Sequence, residues 1–251
     1  APASATINTP FDVTVDVTVH NNGPETPVAS ITTVDLSLPP DCTKSPSGSQ
    51  TVSQSLAQST DVTLPGQTWQ VTCSGPSDHA FTGSATIAVD DPNVTDNNSA
   101  NNSSQGQAMT AVTAESDVKV SGVTVSAPGS ATVGTPFNVT ATATLHNNGP
   151  YGPASVDTTL DLSLPPDCTT SSSNPQTVQD TSLAQSVSAQ VQATFSVTCT
   201  TLGDKSFTGL ASVAIDQLHV SESNLNNNSD QSSASTTKIT SAADLEVAGV
   251  T

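Results

Sequence analysis

The sequence predicts an all-β chain of two tandem β-sandwich domains, each with one disulfide. Three observations lead to this prediction. Apolar and polar residues alternate along short segments, as in strands with one buried face. The segment Phe11 to Pro24 recurs as Phe137 to Pro150, 126 residues later, together with most of the sequence around it. The four cysteines form two pairs with the same spacing, and the pairs fall in different repeats.

Composition limits what the chain can do. Only 33% of the 251 residues are hydrophobic and 3% are aromatic, so the core must consist mainly of Val, Ile, Leu and Ala. Twenty-two acidic residues against four basic ones give a formal net charge of −18. Such a chain cannot neutralise a phosphate backbone, which excludes nucleic acid as a partner, and it disfavours adhesion to anionic membranes. No apolar run approaches the ~18 residues of a membrane span, so we expect no membrane insertion.

The first strand of each repeat has the clearest pattern. Phe11 to Pro24 reads FDVTVDVTVHNNGP and Phe137 to Pro150 reads FNVTATATLHNNGP, with apolar residues at every second position. Asn and Gly tolerate positive φ and Pro ends a hydrogen-bonded ladder, so we expect the strands to turn at Asn22-Gly23 and Asn148-Gly149. Disorder is the competing interpretation of so polar a sequence, but the regular alternation favours strands.

The later strands repeat in the same order. A second strand from Ile31 to Leu38 ends at Pro39-Pro40, where the chain leaves the sheet. Trp69 could serve as a ligand platform, but Phe195 replaces it in the second repeat, which favours core packing. The other predicted strands are an edge strand around Val52 or Val178, strands ending at Cys73 and Cys199, strands at 81–89 and 207–215, and last strands at 108–112 and 235–239.

The cysteines indicate one disulfide per repeat, Cys42–Cys73 and Cys168–Cys199. A bridge that closes a loop of 31 residues stabilises a fold by about 3 to 4 kcal/mol on the chain-entropy estimate. A zinc site is the alternative, but it needs four clustered ligands, and only His79 or His20 lies nearby in the sequence. Persistent disulfides indicate an oxidising setting, outside the cell or on its surface.

Six or seven short strands per repeat, without helical periodicity, are typical of a β-sandwich. Their order resembles the Asn-Gly-Pro type of Ig-like surface repeat, which occurs in tandem in cell-surface, sheath and adhesin proteins. The resemblance implies two tandem Ig-like β-sandwich domains with a structural role and no catalytic residues. The second repeat departs from it at Gln217-Leu218-His219, and the cysteine pair is not expected of these repeats. The residues that carry the resemblance are Asn22-Gly23-Pro24, Leu38-Pro39, Asp91-Pro92-Asn93 and Asn97-Asn98-Ser99, then Asn148-Gly149-Pro150, Leu164-Pro165 and Asn227-Asn228-Ser229.

The phase of the repeats predicts how chains connect. Residues 244–251 (DLEVAGVT) repeat residues 117–124 (DVKVSGVT), which open the second repeat. We therefore expect repeat one at 1–115 without its opening strand, repeat two at 116–241, and at 242–251 the opening strand of a following repeat that pairs with the next copy. A continuous covalent array or a chance boundary would also give this phase. The predicted contact residues are Asp244, Leu245, Val247 and Val250.

Two kinds of surface modification or ligand site are suggested by local motifs. Asn-x-Ser/Thr sequences predict N-glycosylation at Asn93, Asn97, Asn101, Asn102, Asn138 and Asn227, with an unmodified polar loop as the alternative. Asp90, Asp91, Asn93 and Asp96 place several oxygens in one loop, which is a weak candidate for a calcium site; otherwise we expect no cofactor. A solvated acidic turn is the alternative.

The sequence thus predicts a structural protein and no enzyme. Motifs of nucleophilic or phosphate chemistry are lacking. The expected function is a building block of an extracellular, glycosylated linear fibre, sheath or surface appendage, with copies of itself and glycans as partners. The alternative is a stalk or ligand-binding region of a cell-surface adhesin, although so few aromatic residues offer little surface for stacking on sugars.

Overall fold

The computed structural model describes residues 1–248 and consists almost entirely of strands and loops. Strands make up 62% of it. Residues 1–248 contain no α-helix, only two short 3-10 turns at Ser99–Asn101 and Leu225–Asn227. None of their helical segments has the length and apolarity to cross a bilayer. The prediction of an all-β fold is confirmed. The chain divides into two compact units, unit 1 from Ala1 to Ala114 and unit 2 from Glu115 onward.

Unit 1 has one main sheet, in the order β1, β10, β9, β4, β6, and opposing strands in two short sheets, β2-β8-β5 and β3-β7. Strands β1 and β10 run parallel, and the other pairs are antiparallel. The strands are β1 (Ser4–Thr6), β2 (Phe11–Val15), β3 (Thr18–His20), β4 (Val28–Ser37), β5 (Cys42–Ser45), β6 (Gln50–Leu56), β7 (Asp61–Thr63), β8 (Gln67–Cys73), β9 (Ser77–Val89) and the first part of β10 (Ser103–Ser126).

Unit 2 repeats this arrangement with more complete strands. One sheet contains the second part of β10, then β12, β16 and β14, and the other has the order β11, β20, β17, β13, β15. The strands are β11 (Ser130–Thr132), β12 (Phe137–Pro150), β13 (Ala154–Ser163), β14 (Cys168–Thr170), β15 (Gln176–Leu183), β16 (Ser188–Cys199), β17 (Gly203–Ile215), β18 (Val220–Glu222), β19 (Ser229–Gln231) and β20 (Ser235–Thr240).

The apolar residues of the alternating segments form the cores. In unit 2 a single cluster joins side chains of both sheets, among them Leu145, Leu160 and Phe195, all fully buried. Unit 1 has two smaller clusters, one around Trp69 and Phe81 and one around four residues at the other end of the unit. Trp69 is fully buried and its indole N–H donates to the carbonyl of Gly48, as expected of a core residue. The second cluster consists of Val19, Val28, Leu56 and Leu64.

Both predicted disulfides are present. Cys42–Cys73 joins β5 to β8, and Cys168–Cys199 joins β14 to β16. In each case the two cysteines are directly opposite each other in an antiparallel pair. Because both sulfur atoms of each pair are bonded to each other, the thiolates that the zinc alternative requires are not available.

The Asn-Asn-Gly-Pro segment behaves differently in the two units. In unit 1 the strand ends at His20, before the segment, in agreement with the predicted turn. In unit 2 the prediction of a turn at Asn148-Gly149 was wrong, because β12 continues to Pro150, which pairs with Ser116 of β10. Pairing with β10 therefore keeps the Asn-Asn-Gly-Pro segment extended in unit 2.

The first strand of unit 1 is also interrupted, between β2 and β3. Facing the interruption, β7 and β8 are separated by Leu64-Pro65-Gly66, whereas β16 is continuous at this position in unit 2. Proline cannot donate to a ladder. A Cβ atom at Gly66 would lie 2.7 Å from the Asp16 carboxylate, so a larger residue there would have to displace this side chain.

Candidate strand-docking site

The two units differ most at one edge of a sheet. In unit 2 β12 is paired on both sides, with β16 on one side and with residues 116–126 of β10 on the other. In unit 1 the equivalent strands β2 and β3 pair with β8 and β7 only. No strand within residues 1–248 covers their other edge. Unit 1 thus presents unpaired backbone donors and acceptors, the surface on which a further strand can add.

An open groove runs along this edge of unit 1. Its volume is about 590 Å³, and it extends from β3 and the Asn-Asn-Gly-Pro segment to β9 and the Asn-rich loop. The floor is apolar and includes Val19, Val28, Leu56 and Ile87, while amide and carboxylate groups line the rim. A second, smaller groove of about 250 Å³ continues beside β2, against Phe81 and Gly83.

The equivalent space in unit 2 is filled by β10. Val118 is fully buried and Val120 is 6% exposed, and both belong to the core cluster of the unit. Further along, a Cβ atom placed on Gly209 would meet Val125 at 2.8 Å and Val123 at 3.5 Å. The equivalent glycine of unit 1, Gly83, has Val15 of β2 at 2.8 Å instead. The strand is therefore an integral part of the core in unit 2, whereas no strand within residues 1–248 takes the corresponding place beside β2 and β3.

An aspartate at the start of this strand is held between two amide groups. Asn148 Nδ2 donates to Asp117 Oδ2 at 2.7 Å, and Asn227 Nδ2 donates to Asp117 Oδ1 at 2.8 Å. The hydrogen bonds from Asn227 and Asn148 hold the pKa of Asp117 below its usual value, because they stabilise the charged carboxylate. We call this arrangement the amide clamp of unit 2.

The backbone beside Asp117 is also fixed. The amide of Val118 donates to Glu222 Oε2 at 3.2 Å, and the amide of Ser223 donates to the carbonyl of Ser116 at 2.9 Å. The hydroxyl oxygen of Ser116 is buried and lies 2.8 Å from Asn147 Oδ1 and 3.0 Å from the carbonyl oxygen of Tyr151, and its single hydrogen is shared between these two acceptors. The rim of the space thus binds the first residues of the strand through polar contacts, whereas its floor binds the apolar side chains.

Unit 1 contains counterparts of the residues that receive the strand. Asn22 and Asn101 correspond to the clamp residues Asn148 and Asn227, and Asp96 corresponds to Glu222; all three line the groove. The side-chain amides of Asn22 and Asn101 are exposed and make no hydrogen bond to any other part of residues 1–248. Asp96 accepts from the Asn98 amide and from Asn102 Nδ2, and these bonds lower its pKa.

The predicted contact segment is exposed. Residues 241–248 have no regular secondary structure, and Leu245 and Val247 are 92% and 81% exposed. Asp244 is exposed as well. Of the four predicted contact residues, Val250 lies outside the described residues.

Of the predicted calcium ligands, the three aspartates do not come together as one group in the structure. Asp91 Oδ1 accepts from the amide and side chain of Asn93, and both carboxylate oxygens of Asp96 are hydrogen-bonded as described above. In residues 1–248, groups of three acidic, His or Cys side chains close enough to share an ion occur at Cys42, Cys73 and His79 and at Asp157, Asp180 and Asp216. Asp90, Asp91 and Asp96 form no such group, and the two cysteines are bonded to each other.

The predicted glycosylation sites differ in accessibility. Asn93, Asn97, Asn101 and Asn138 are exposed, and Asn138 lies opposite Ser196 on the outer face of β12. Asn227 is half-buried and its amide belongs to the clamp of unit 2. Asn102 is half-buried and its amide donates to Asp96 Oδ2 at 2.6 Å. Asn97, Asn101 and Asn102 also line the groove of unit 1.

The amide clamp was missed by sequence reasoning. Its three members are far apart in the chain, and the Asn-rich loop was considered for its glycosylation motifs, a calcium site and the family resemblance, but not as a partner of Asp117. A signal was nevertheless present, because the aspartate recurs at positions 117 and 244, and the two asparagines recur at 22 and 148 and at 101 and 227.

Comparisons with known proteins do not define a family. No protein-family model and no curated protein matches the chain. Among solved structures, a Salmonella alpha-2-macroglobulin reacted with methylamine aligns with 95% of the chain at 12% identity and a TM-score of 0.33. A red sea bream transglutaminase aligns with 96% of it at 16% identity and a TM-score of 0.27. The chain covers only 16% and 30% of those two proteins.

Proposed function

We propose that this protein is a structural building block of an extracellular linear fibre, sheath or surface appendage. Its units are Ig-like β-sandwiches, and copies join head to tail by strand addition. Residues 244–251 of one copy occupy the groove of unit 1 in the next copy. The observation that carries the proposal is the unpaired edge of β2 and β3. Their counterpart β12 is covered on that edge by β10, and residues 117–124 of β10 are similar in sequence to residues 244–251.

The match between donor and acceptor supports a second copy as the occupant. Leu245 and Val247 correspond to the buried residues Val118 and Val120. Leucine is larger than valine, and unit 1 has the smaller residues Val19 and Ser30 where unit 2 has Leu145 and Val156. The larger donor side chain thus meets a wider groove.

The charge pattern along the strand points the same way. In unit 2, Lys119 of β10 lies opposite His146. The same register would place Glu246 of a docked segment opposite His20, the counterpart of His146. A carboxylate accepts hydrogen bonds, whereas an ammonium group can only donate them, so Glu246 can accept from an imidazole N–H and a lysine at this position could not.

Three other properties fit an extracellular structural role. The disulfides stabilise a core that is poor in large side chains, and they persist in oxidising surroundings. The net charge of −18 keeps the surface soluble. Exposed Asn-x-Ser/Thr motifs provide attachment points for glycans.

Association of the purified chain tests the proposal. Light scattering after size-exclusion chromatography should show oligomers that grow with concentration, and electron microscopy should show thin unbranched filaments. The double variant Leu245→Asp/Val247→Asp should remain monomeric, because charges cannot enter the apolar groove. The matched control Leu218→Asp/Leu225→Asp adds the same charges at two other exposed leucines and should assemble like the wild type. A wild-type chain that stays monomeric at all concentrations would refute the proposal.

A further inference from the structure

The exposed amides of Asn22 and Asn101 have a counterpart with a known occupant in this molecule. In unit 2 the equivalent residues Asn148 and Asn227 bind Asp117. The segment proposed to dock carries Asp244 at the position that matches Asp117. Resting on the proposed function, we infer that Asn22 and Asn101 are an amide clamp that receives the carboxylate of Asp244 from a second copy and sets the register of the docked strand.

The chemistry of the clamp suits two acidic proteins that must meet. Each copy carries a formal charge of −18, so an aspartate approaches another copy against net repulsion. Hydrogen bonds to a charged group are about twice as strong as those between neutral groups, so two amide donors offset part of this repulsion. Neither Asn22 nor Asn101 gives up another hydrogen bond in residues 1–248 when it binds the carboxylate.

The position of the clamp explains why it would set the pairing register of the docked strand. Side chains of a strand alternate between its two faces, so a slip by one residue would move Leu245 and Val247 out of the groove and put Glu246 into it. An aspartate fixed at the first position of the strand prevents that slip. The clamp therefore selects a donor that begins with aspartate and has apolar residues one and three positions later.

A peptide-binding experiment isolates this contact. The acceptor is the full chain carrying Leu245→Asp/Val247→Asp, which cannot donate its own strand, and the donor is a fluorescent peptide of residues 241–251. We expect saturable binding by fluorescence anisotropy and none by a scrambled peptide. Asp244→Ala in the peptide and Asn22→Ala/Asn101→Ala in the acceptor should each weaken binding at least tenfold. Combined, they should weaken it little further, because both changes remove the same contact.

A charge exchange provides a second readout. Asn101→Asp in the acceptor should weaken binding of the natural peptide, and Asp244→Asn in the peptide should restore it, because the donor and acceptor roles are exchanged. Thermal unfolding of the acceptor variants should match that of the parent, since both side chains are exposed. Binding that tolerates Asp244→Ala or Asn22→Ala/Asn101→Ala within twofold would overturn the clamp while leaving strand docking intact. A natural peptide that does not bind at all would overturn both.

Discussion

The imidazole of His79 lies 2.9 Å from the carboxylate of Asp41, with Nε2 facing Oδ2, and the histidine is almost fully buried beside the Cys42–Cys73 disulfide. Its other ring nitrogen lies 2.9 Å from the carbonyl of Ser77, so both nitrogens face acceptors. In unit 2 the corresponding pair is Lys205 and Asp167, with Nζ 2.5 Å from Oδ2. Each unit therefore ties the corner next to its disulfide with a basic and an acidic residue.

Removal of the buried imidazole should destabilise unit 1. We expect His79→Ala to lower the free energy of unfolding by about 2 to 3 kcal/mol, because it leaves a cavity and removes the partner of Asp41. Trp69 is the single tryptophan and lies in unit 1, so urea unfolding followed by its fluorescence reports on this unit. His79→Lys, which copies unit 2, is the matched control and should cost less than His79→Ala. Equal losses for the two variants would show that the basic group contributes nothing.

The amide clamp predicts how association depends on pH. Hydrogen bonds from Asn227 and Asn148 lower the pKa of Asp117 because they stabilise its charged form, and a docked Asp244 would receive the same two bonds from Asn101 and Asn22. A carboxylate whose pKa is depressed by binding favours the bound state above its free pKa of about 3.9 and loses that contribution as the pH falls through the bound pKa.

Peptide affinity should therefore decrease as the pH is lowered from about 5 to 3. Other titratable groups of the site, Asp96, His20 and Glu246, and the net charge of the chain also respond to pH. The Asp244→Asn peptide lacks only the carboxylate that binds the clamp, so all other effects of pH on affinity are the same for both peptides. The difference between their pH profiles therefore measures the contribution of the clamped carboxylate. Identical pH profiles for both peptides would contradict a bound, ionised Asp244.

One substitution should strengthen association. In unit 2 the Ser116 hydroxyl shares its hydrogen between Asn147 and the carbonyl of Tyr151, whereas the donor segment has Ala243 at that position. Asn21 and Glu25 are the counterparts of Asn147 and Tyr151 in unit 1. Ala243→Ser in the peptide adds about 1 kcal/mol of hydrogen bonding, or roughly fivefold in affinity. Ala242→Ser, one position earlier, is the matched control and should leave the dissociation constant unchanged.

The disulfides should stabilise each unit separately. Cys42→Ala/Cys73→Ala is expected to lower the free energy of unfolding of unit 1 by about 3 to 4 kcal/mol, because the unfolded chain gains the entropy of an open loop. The transition seen by Trp69 fluorescence should shift to lower urea. Cys168→Ala/Cys199→Ala should leave the unfolding transition of unit 1, followed by Trp69 fluorescence, unchanged. It should lower only the urea midpoint of unit 2, followed by circular dichroism.

Glycan occupancy should follow side-chain accessibility. In a host that N-glycosylates secreted proteins, we expect modification at the exposed Asn93 and Asn138, and none at Asn227, whose amide is bonded to Asp117. Mass spectrometry of glycopeptides measures occupancy at each site. Chains modified at Asn101 should be absent from assembled material, because a glycan on that amide blocks the clamp. Recovery of a glycan at Asn227 would show that the clamp of unit 2 opens before or during modification.

Much of the fold could be predicted because the relevant signals are local. Alternation along β2, β4, β8 and β9 placed the strands, and equal cysteine spacing predicted both disulfides. The turn at Asn148-Gly149 was wrong because turn propensity takes no account of the neighbour: pairing of Pro150 with Ser116 keeps that segment extended. The interruption near Asp16 was not foreseen either, since Pro65 and Gly66, which face it between β7 and β8, are distant from it in the sequence.

The docking site was only partly accessible from the sequence. The repetition of residues 117–124 at 244–251 predicted which segment donates, but not what receives it. The receiving groups come from the Asn-Asn-Gly-Pro segment and the Asn-rich loop, nearly 80 positions apart in unit 1, at Asn22 and Asn101. Only the folded chain brings such groups to one rim.

The parallel pairing of β1 with β10, from Ser4 opposite Ala111 to Thr6 opposite Thr113, has a mechanical consequence. When unit 1 is stretched from its two ends, parallel terminal strands slide past each other, and tension is shared by all the bonds that join them. An antiparallel pair in this place would instead unzip one bond at a time. Pulling on the two ends of unit 1 thus loads the β1–β10 hydrogen bonds in shear.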